Sequence, residues 1–265
     1  MKTRIISGII LGAVIAGIIT LGMLVSHIFI IAVLGIISAI AVYELLCNVA
    51  KIESKLSLYG AVVYSFLACF CMAENITYYV ILSIAYSLFA VIVTLKNHKD
   101  FDLAKILVSL SMPMVLSFAF SCFGLVINNS KGLYYLLLLF NFACVCDMGA
   151  YFVGVTMGKH KLCPEISPKK TVEGAIGGIL VSVIVSLIIV LCFSATEKIV
   201  ITLLLTIPLC IVGMMGDLFA SAIKRSVGLK DYGNLIPGHG GILDRFDSML
   251  LIAPVLVALI TVGVI

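Results

Sequence analysis

An all-α polytopic membrane protein is the fold class predicted for this chain, on three observations. Apolar residues fill 63% of the 265 positions and charged residues only 11%. The mean hydropathy of +1.27 is beyond what a water-soluble domain carries without large aggregating patches. Apolar runs of about 20 residues, the length a helix needs to cross roughly 30 Å of hydrocarbon, recur from end to end. Basic residues gather in alternate loops, as a threaded membrane topology requires.

Spans are expected near 5–24, 28–47, 56–73, 76–95, 103–127, 133–153, 171–193, 199–220 and 248–265, nine in all. Eight is the alternative, since the third is short and the eighth oblique. The first follows Met1-Lys2-Thr3-Arg4, which imitates the basic start of a secretory signal. Its apolar run is too long for one, and no small-residue cleavage site follows. With the N-terminus and every second loop on the cytoplasmic side, only Lys131 and Lys198 of the 17 Lys and Arg residues fall outside. The net charge of +4 is therefore a topology signal and no footprint for nucleic acid. The nine cysteines form no C-x-x-C pair, and most sit inside spans as small apolar residues.

Four acids, Glu44, Asp147, Glu173 and Asp217, fall at helix ends on the cytoplasmic side of this topology. Carboxylates so placed cost several kcal/mol unless paired, hydrated or bound to metal, so they are expected to share a polar cavity open to the cytoplasm. The densest polar run is Ser221 to Asp247, SAIKRSVGLKDYGNLIPGHGGILDRFD. Just before it, Gly213-Met214-Met215-Gly216 places Asp217 where a neighbouring backbone can come close. Asp217, Ser221, Lys224 and Arg225 follow at i, i+4, i+7 and i+8 and share one helix face.

A loop with Lys230 and Pro237-Gly238-His239-Gly240-Gly241 comes next. Its glycines let backbone N–H groups converge on an anion, and His239 between them suits a phosphate contact or proton handling. Asp244, Arg245 and Asp247 then lead into the last span. Between 217 and 247 four acids balance four bases. Interleaved charge of this kind suits a metal and the phosphates it bridges. Mg²⁺ is the expected cofactor, with or without a second cation in the same site, because it takes one or two hard carboxylates and completes its shell with water and phosphate. Its ligands are expected to be Asp217 and Asp244, with Asp247 the weaker candidate.

A second polar block supports the same chemistry. Asp147 to Gly154 closes the sixth span and Ser167-Pro168-Lys169-Lys170-Thr171-Val172-Glu173-Gly174 opens the seventh. Ser167 reads as an N-cap with Pro168 at the first helical position. Lys169 and Lys170 would then oppose the helix dipole until an anion docks there. No Walker A loop, G-x-S-x-G, H-E-x-x-H or C-x-x-C-H is present, which disfavours an ATP-hydrolysing pump and a membrane zinc protease. A cation-coupled transporter predicts acids spread over membrane depth and an internal repeat, and neither is evident.

The order Ser, Lys-Arg, Lys-Asp, Gly, Pro, His-Gly-Gly, Asp-Arg, Asp from Ser221 to Asp247 resembles the C-terminal signature of the phosphatidate cytidylyltransferase (CDP-diacylglycerol synthase) family. The blocks 147–154, 167–174 and 213–218 resemble it too. The resemblance implies transfer of CMP from CTP to phosphatidate, giving CDP-diacylglycerol and pyrophosphate, in a cell-membrane homodimer whose N-terminus and site are cytoplasmic. A nucleotidyltransferase using another lipid phosphate is the near alternative, because no residue here reads the pyrimidine or the acyl chains. Residues 1–130 become N-terminal transmembrane helices and 131–265 a catalytic region of the same membrane unit. In that frame Lys224, Arg225 and Arg245 hold phosphates, and His239, Gly240 and Gly241 border the triphosphate. Ser167, Lys169, Lys170 and Thr171 engage the lipid or nucleotide phosphate, Ser221 and Lys230 also contact substrate, and Glu173 and Asp147 order the cavity.

Overall fold

The computed structural model describes residue 17 and residues 27–96, 102–236, 238 and 240–265. The expected span at 5–24 apart from residue 17, the basic residues Lys2, Arg4 and Lys99, and Pro237 and His239 lie outside the described residues. In chain order the elements are α1 (His27–Glu44), which runs on through a π-turn (Leu45–Val49), α2 (Lys55–Glu74), α3 (Ile76–Lys96), α4 (Leu103–Ile127), α5 (Gly132–Phe140), a second π-turn (Asn141–Val145), α6 (Cys146–Met157), β1 (Lys161–Cys163), β2 (Ser167–Thr171), α7 (Val172–Cys192), α8 (Ile199–Ser226), α9 (Leu243–Phe246) and α10 (Met249–Thr261).

Among the described residues seven helical rods are long and apolar enough to cross a membrane, and each overlaps an expected span. The last expected span differs. Its helix covers only Met249–Thr261, 13 residues, or about 20 Å at 1.5 Å per residue. Gly263, at φ 77°, turns the chain out of the helix behind it. The expected eighth span is instead longer than anticipated. α8 has 28 residues, about 42 Å, longer than the roughly 30 Å of hydrocarbon, and Lys224 and Arg225 stand in its last turn.

The described residues form two compact units, those within 1–125 with those within 229–246, and 126–228 with 247–265. In the first, hydroxyls join α1 to α4 where lipid offers no hydrophobic drive. Ser38 and Ser65 Oγ lie 2.6 Å apart, Tyr64 Oη and Ser83 Oγ 2.9 Å, and Tyr86 donates to the Ser109 carbonyl at 2.6 Å. Outward-facing Leu56, Val63, Ile81, Ile84, Leu88 and Ile92 are exposed, as lipid-facing positions should be. The described residues of 229–246 fold onto this unit around Tyr232, whose side chain is fully buried. Phe246 packs edge-on against Phe120 and Phe123, with ring centroids 5.4 and 5.9 Å away.

In the second unit α6 and α7 touch backbone to backbone. A Cβ on Gly178 would stand 2.5 Å from the Cys146 carbonyl oxygen. The glycines of α7 thus serve a contact inside the chain. Asn141, in the π-turn ahead of α6, donates to the Ser182 carbonyl at 2.9 Å and to Ser186 Oγ at 2.8 Å.

Ser167 does not cap a helix. Residues Ser167–Thr171 form β2, antiparallel to β1, with Lys161 opposite Thr171 and Cys163 opposite Ser167. Pro168 fixes its own φ and biases Ser167 to extended backbone, which suits an edge strand equally well. The true cap is Thr171, whose Oγ1 accepts from Gly174 N at 3.1 Å. Lys169 and Lys170 therefore stand on a strand and not against a helix dipole. Thr171→Val should cost about 1 kcal/mol, because the valine keeps the shape but leaves the Gly174 N–H without its acceptor. A lower Tm in detergent, with helix content intact, would record it.

Candidate active site

Within the second unit a cavity of about 300 Å³ is lined by Asp147, Ser167, Lys169, Lys170, Thr171 and Asp217 on its polar side and by Ala150, Tyr151, Leu162, Ala175 and Met214 on its apolar side. The β-hairpin, α6, α7 and α8 each supply part of the wall. Five of the residues singled out from sequence, Ser167, Lys169, Lys170, Thr171 and Asp217, thus meet around one space, with Asp147 beside them. Lys170 Nζ pairs with Asp217 Oδ2 at 2.5 Å, both side chains about a quarter exposed. Ser221, one turn along α8, donates to Asp217 Oδ1 at 3.3 Å, as the i, i+4 spacing predicts. Lys224 is buried, whereas Arg225 is exposed.

Asp247 belongs to the same unit. Its Oδ1 accepts from Ser248 N at 2.8 Å. Burial, then the charges of Asp217 and Asp147, push its carboxyl up to about 7 against the pull of Lys224. A cation brought beside such a carboxyl favours its anion. Three carboxylates, Asp147, Asp217 and Asp247, thus share one field with two ammonium groups, Lys170 and Lys224. Among the described residues no three His, Cys, Asp or Glu side chains gather closely enough to hold a metal ion unaided. Mg²⁺ in general needs only one or two carboxylates besides water and phosphate.

Glu173 does not line this cavity. It accepts from the backbone N–H groups of Lys159 at 3.0 Å and His160 at 3.2 Å, and its Oε1 lies 2.6 Å from His160 Nδ1. It is the pin that holds the entrance to the hairpin.

The remaining described candidates, Lys230, Gly240, Gly241, Asp244 and Arg245, lie in the first unit. Asp244 is buried there, and its Oδ2 accepts from Tyr232 N at 2.7 Å and Gly241 N at 3.0 Å. Gly240 takes φ 84° and its carbonyl accepts from Ile236 N at 2.9 Å. Lys230 and Arg245 are exposed. Sequence reasoning placed Glu44 in the shared cavity. Its carboxylate instead accepts from the backbone of Ile242 and Leu243, partners that no side-chain pattern announces.

These features define a nearly all-α membrane protein with an acid and base lined cavity that is apolar on one wall. The chain belongs to the cytidylyltransferase family, whose model matches residues 2–262. It is similar to the phosphatidate cytidylyltransferase of Bacillus subtilis (strain 168), 36% identical over 97% of this chain and 96% of that protein. Proteins of the same name from Staphylococcus haemolyticus and Staphylococcus aureus (strain COL) are 47% and 45% identical over 129 residues, 49% of this chain. In those matches the chain spans about half the length of the staphylococcal relatives, 50% of each.

Proposed function

We propose that the protein transfers CMP from CTP to phosphatidate, forming CDP-diacylglycerol and releasing pyrophosphate. The observation that carries this reading is the cavity of the second unit, where Lys169 and Lys170 stand opposite Asp217 and next to an apolar wall. A lipid phosphate needs that combination, cations for its head and hydrocarbon beside its glycerol. The family and its relatives supply the nucleotide. A phosphatidate oxygen attacks the α-phosphorus of CTP as the bond from that phosphorus to the α,β-bridging oxygen breaks, and pyrophosphate leaves with those electrons. The attacking group is already an anion, so no activated Ser or Cys is required, and positioning with charge neutralisation suffices.

In this proposal Lys170 and Lys169 hold the lipid phosphate, and Lys224 and Arg225 accept charge from the nucleotide. Ser221 orients Asp217. Asp217 and Asp247, the weaker candidate from sequence, would hold Mg²⁺, which when bound neutralises phosphate charge, because Asp244, the second ligand expected from sequence, already gives Oδ2 to the backbone N–H groups of Tyr232 and Gly241. The fit lies in the donor set, hard oxygens with an excess of negative charge. The cavity is placed on the cytoplasmic side of the cell membrane, because 15 of the 17 basic residues fall there in the expected topology. A homodimer rests on the family likeness.

Purified protein in detergent with Mg²⁺, phosphatidate and radiolabelled CTP should yield lipid-soluble label that disappears with chelator. No label in folded preparations, or label only with a different lipid phosphate or nucleotide, would overturn the assignment.

A further inference from the structure

Both oxygens of Asp217 are engaged within the second unit. Ser221 Oγ donates to Oδ1 at 3.3 Å, and Lys170 Nζ stands 2.5 Å from Oδ2. The proposed chemistry asks something else of this pair, since Asp217 is to hold a cation and Lys170 a lipid phosphate. A divalent cation competes with Lys170 for the same Oδ2, and Lys170 cannot fully neutralise the carboxylate and a phosphate together.

The ammonium is short of partners where it stands. Its Nζ atom is sealed from water, and Asp217 is the group that pairs with it among the described residues. An ammonium carries three N–H donors, so donors of Lys170 are left without an acceptor at the wall of the cavity. Leaving a sealed donor unmatched is costly, and phosphate oxygens supply what is missing. The backbone beside it is fixed, because Thr171 pairs opposite Lys161 and caps α7 through Gly174 N. A change of partner is therefore a swing of one flexible side chain.

Charge sets the order of events. Asp147, Asp217, Lys169 and Lys170 are the charged groups lining the cavity. While Lys170 is engaged by Asp217, an arriving phosphate meets two carboxylates and a cation already neutralised. Once the Asp217 carboxylate is given to a divalent cation, Lys170 is left without its counter-charge, which is unfavourable away from water until an anion joins it.

We infer that Lys170 is shared in turn: paired with Asp217 it closes the lipid-phosphate site, and released when Asp217 binds a divalent cation it receives the phosphate. Cation and phosphate then bind with positive coupling. This rests on the proposed function. Calorimetric titration of the full chain in detergent tests it without turnover, with Mg²⁺ and glycerol 3-phosphate, the lipid head without its chains, as probes. Saturating Mg²⁺ should tighten glycerol 3-phosphate binding about tenfold, and glycerol 3-phosphate should tighten Mg²⁺ binding by the same factor, as linkage requires. A phosphate bridged directly to the cation would also couple the two, so the deciding measurement is Mg²⁺ alone. Lys170→Met removes the competitor and should tighten Mg²⁺ binding about tenfold. Lys169→Met removes an exposed cation of the same cavity and should leave Mg²⁺ binding within about twofold. Lys170→Gln keeps a hydrogen bond to Asp217 without the charge and carries the test where Lys170→Met fails to fold.

An unchanged Mg²⁺ affinity in Lys170→Met, or an equal shift in Lys169→Met, would overturn the exchange of partners. Wild-type binding of glycerol 3-phosphate that ignores Mg²⁺ would do the same. Wild-type protein that shows the coupling but no CTP turnover would defeat the proposed function alone.

Discussion

Asp217→Asn is expected to lower CMP transfer by a factor of about 10² to 10³, the usual cost of removing one group aimed at transition-state charge. The substitution preserves shape and the Ser221 contact but removes the charge 2.5 Å from Lys170 Nζ. It also removes a proposed metal donor and the strongest neighbouring charge acting on Asp247. Loss of activity alone would not distinguish these roles from simple damage, since breaking a partly buried pair leaves an unpaired cation. The double substitution Asp217→Asn with Lys170→Met separates them. Removing both charges should return Tm toward the wild-type value, whereas turnover stays low. Initial rates with radiolabelled CTP over a range of Mg²⁺ concentrations, beside thermal melts, give both readouts. Near wild-type rates for Asp217→Asn at any Mg²⁺ concentration would remove Asp217 from the chemistry.

Most of the described spans were legible because the bilayer imposes a minimum apolar length on a helix that crosses it. Residues 103–127 were expected and Leu103–Ile127 is the helix, and Lys55–Glu74 differs from 56–73 by one residue at each end. Where that constraint lapses, local grammar misleads. Ser167-Pro168 and Thr171-x-x-Gly174 both satisfy the rules for a helix start, and the pairing of 167–171 with 161–163 selects the second. That pairing is tertiary, and neither motif contains it.

The site divides in the same way. Residue type announced which side chains would seek phosphate or metal, and the helical period announced the Asp217 to Ser221 contact. The Lys170 to Asp217 pair joins a strand to a helix 47 positions apart and depends on how α6, α7 and α8 pack. Glu44 was conspicuous as a carboxylate, but its partners are peptide N–H groups. Every residue but proline carries one, so nothing in the sequence marks which of them turn inward.

Gly216→Ala is the second large effect. A Cβ at this position of α8 would stand 2.8 Å from the Asp247 carbonyl oxygen and 3.3 Å from Ser248 Cα. Both are backbone atoms at the start of α10, beside buried Met249, and neither can swing aside as a flexible side chain would. The strand of backbone at 247–248 must therefore move away from α8, and the Asp247 carboxylate moves with it. The field that raises the Asp247 carboxyl to about 7 arises from burial and from Asp217, so retreat weakens the pair of carboxylates proposed to hold the metal. Misplacement on the order of 1 Å can cost about 100-fold in rate, and a loss of at least about tenfold is expected here. Gly124→Ala is the matched control, since its methyl would meet only Leu34 Cδ1, at an ordinary 3.6 Å. Activity of Gly216→Ala within about twofold of the Gly124→Ala control would show that the close approach of residue 247 to α8 is not required for turnover.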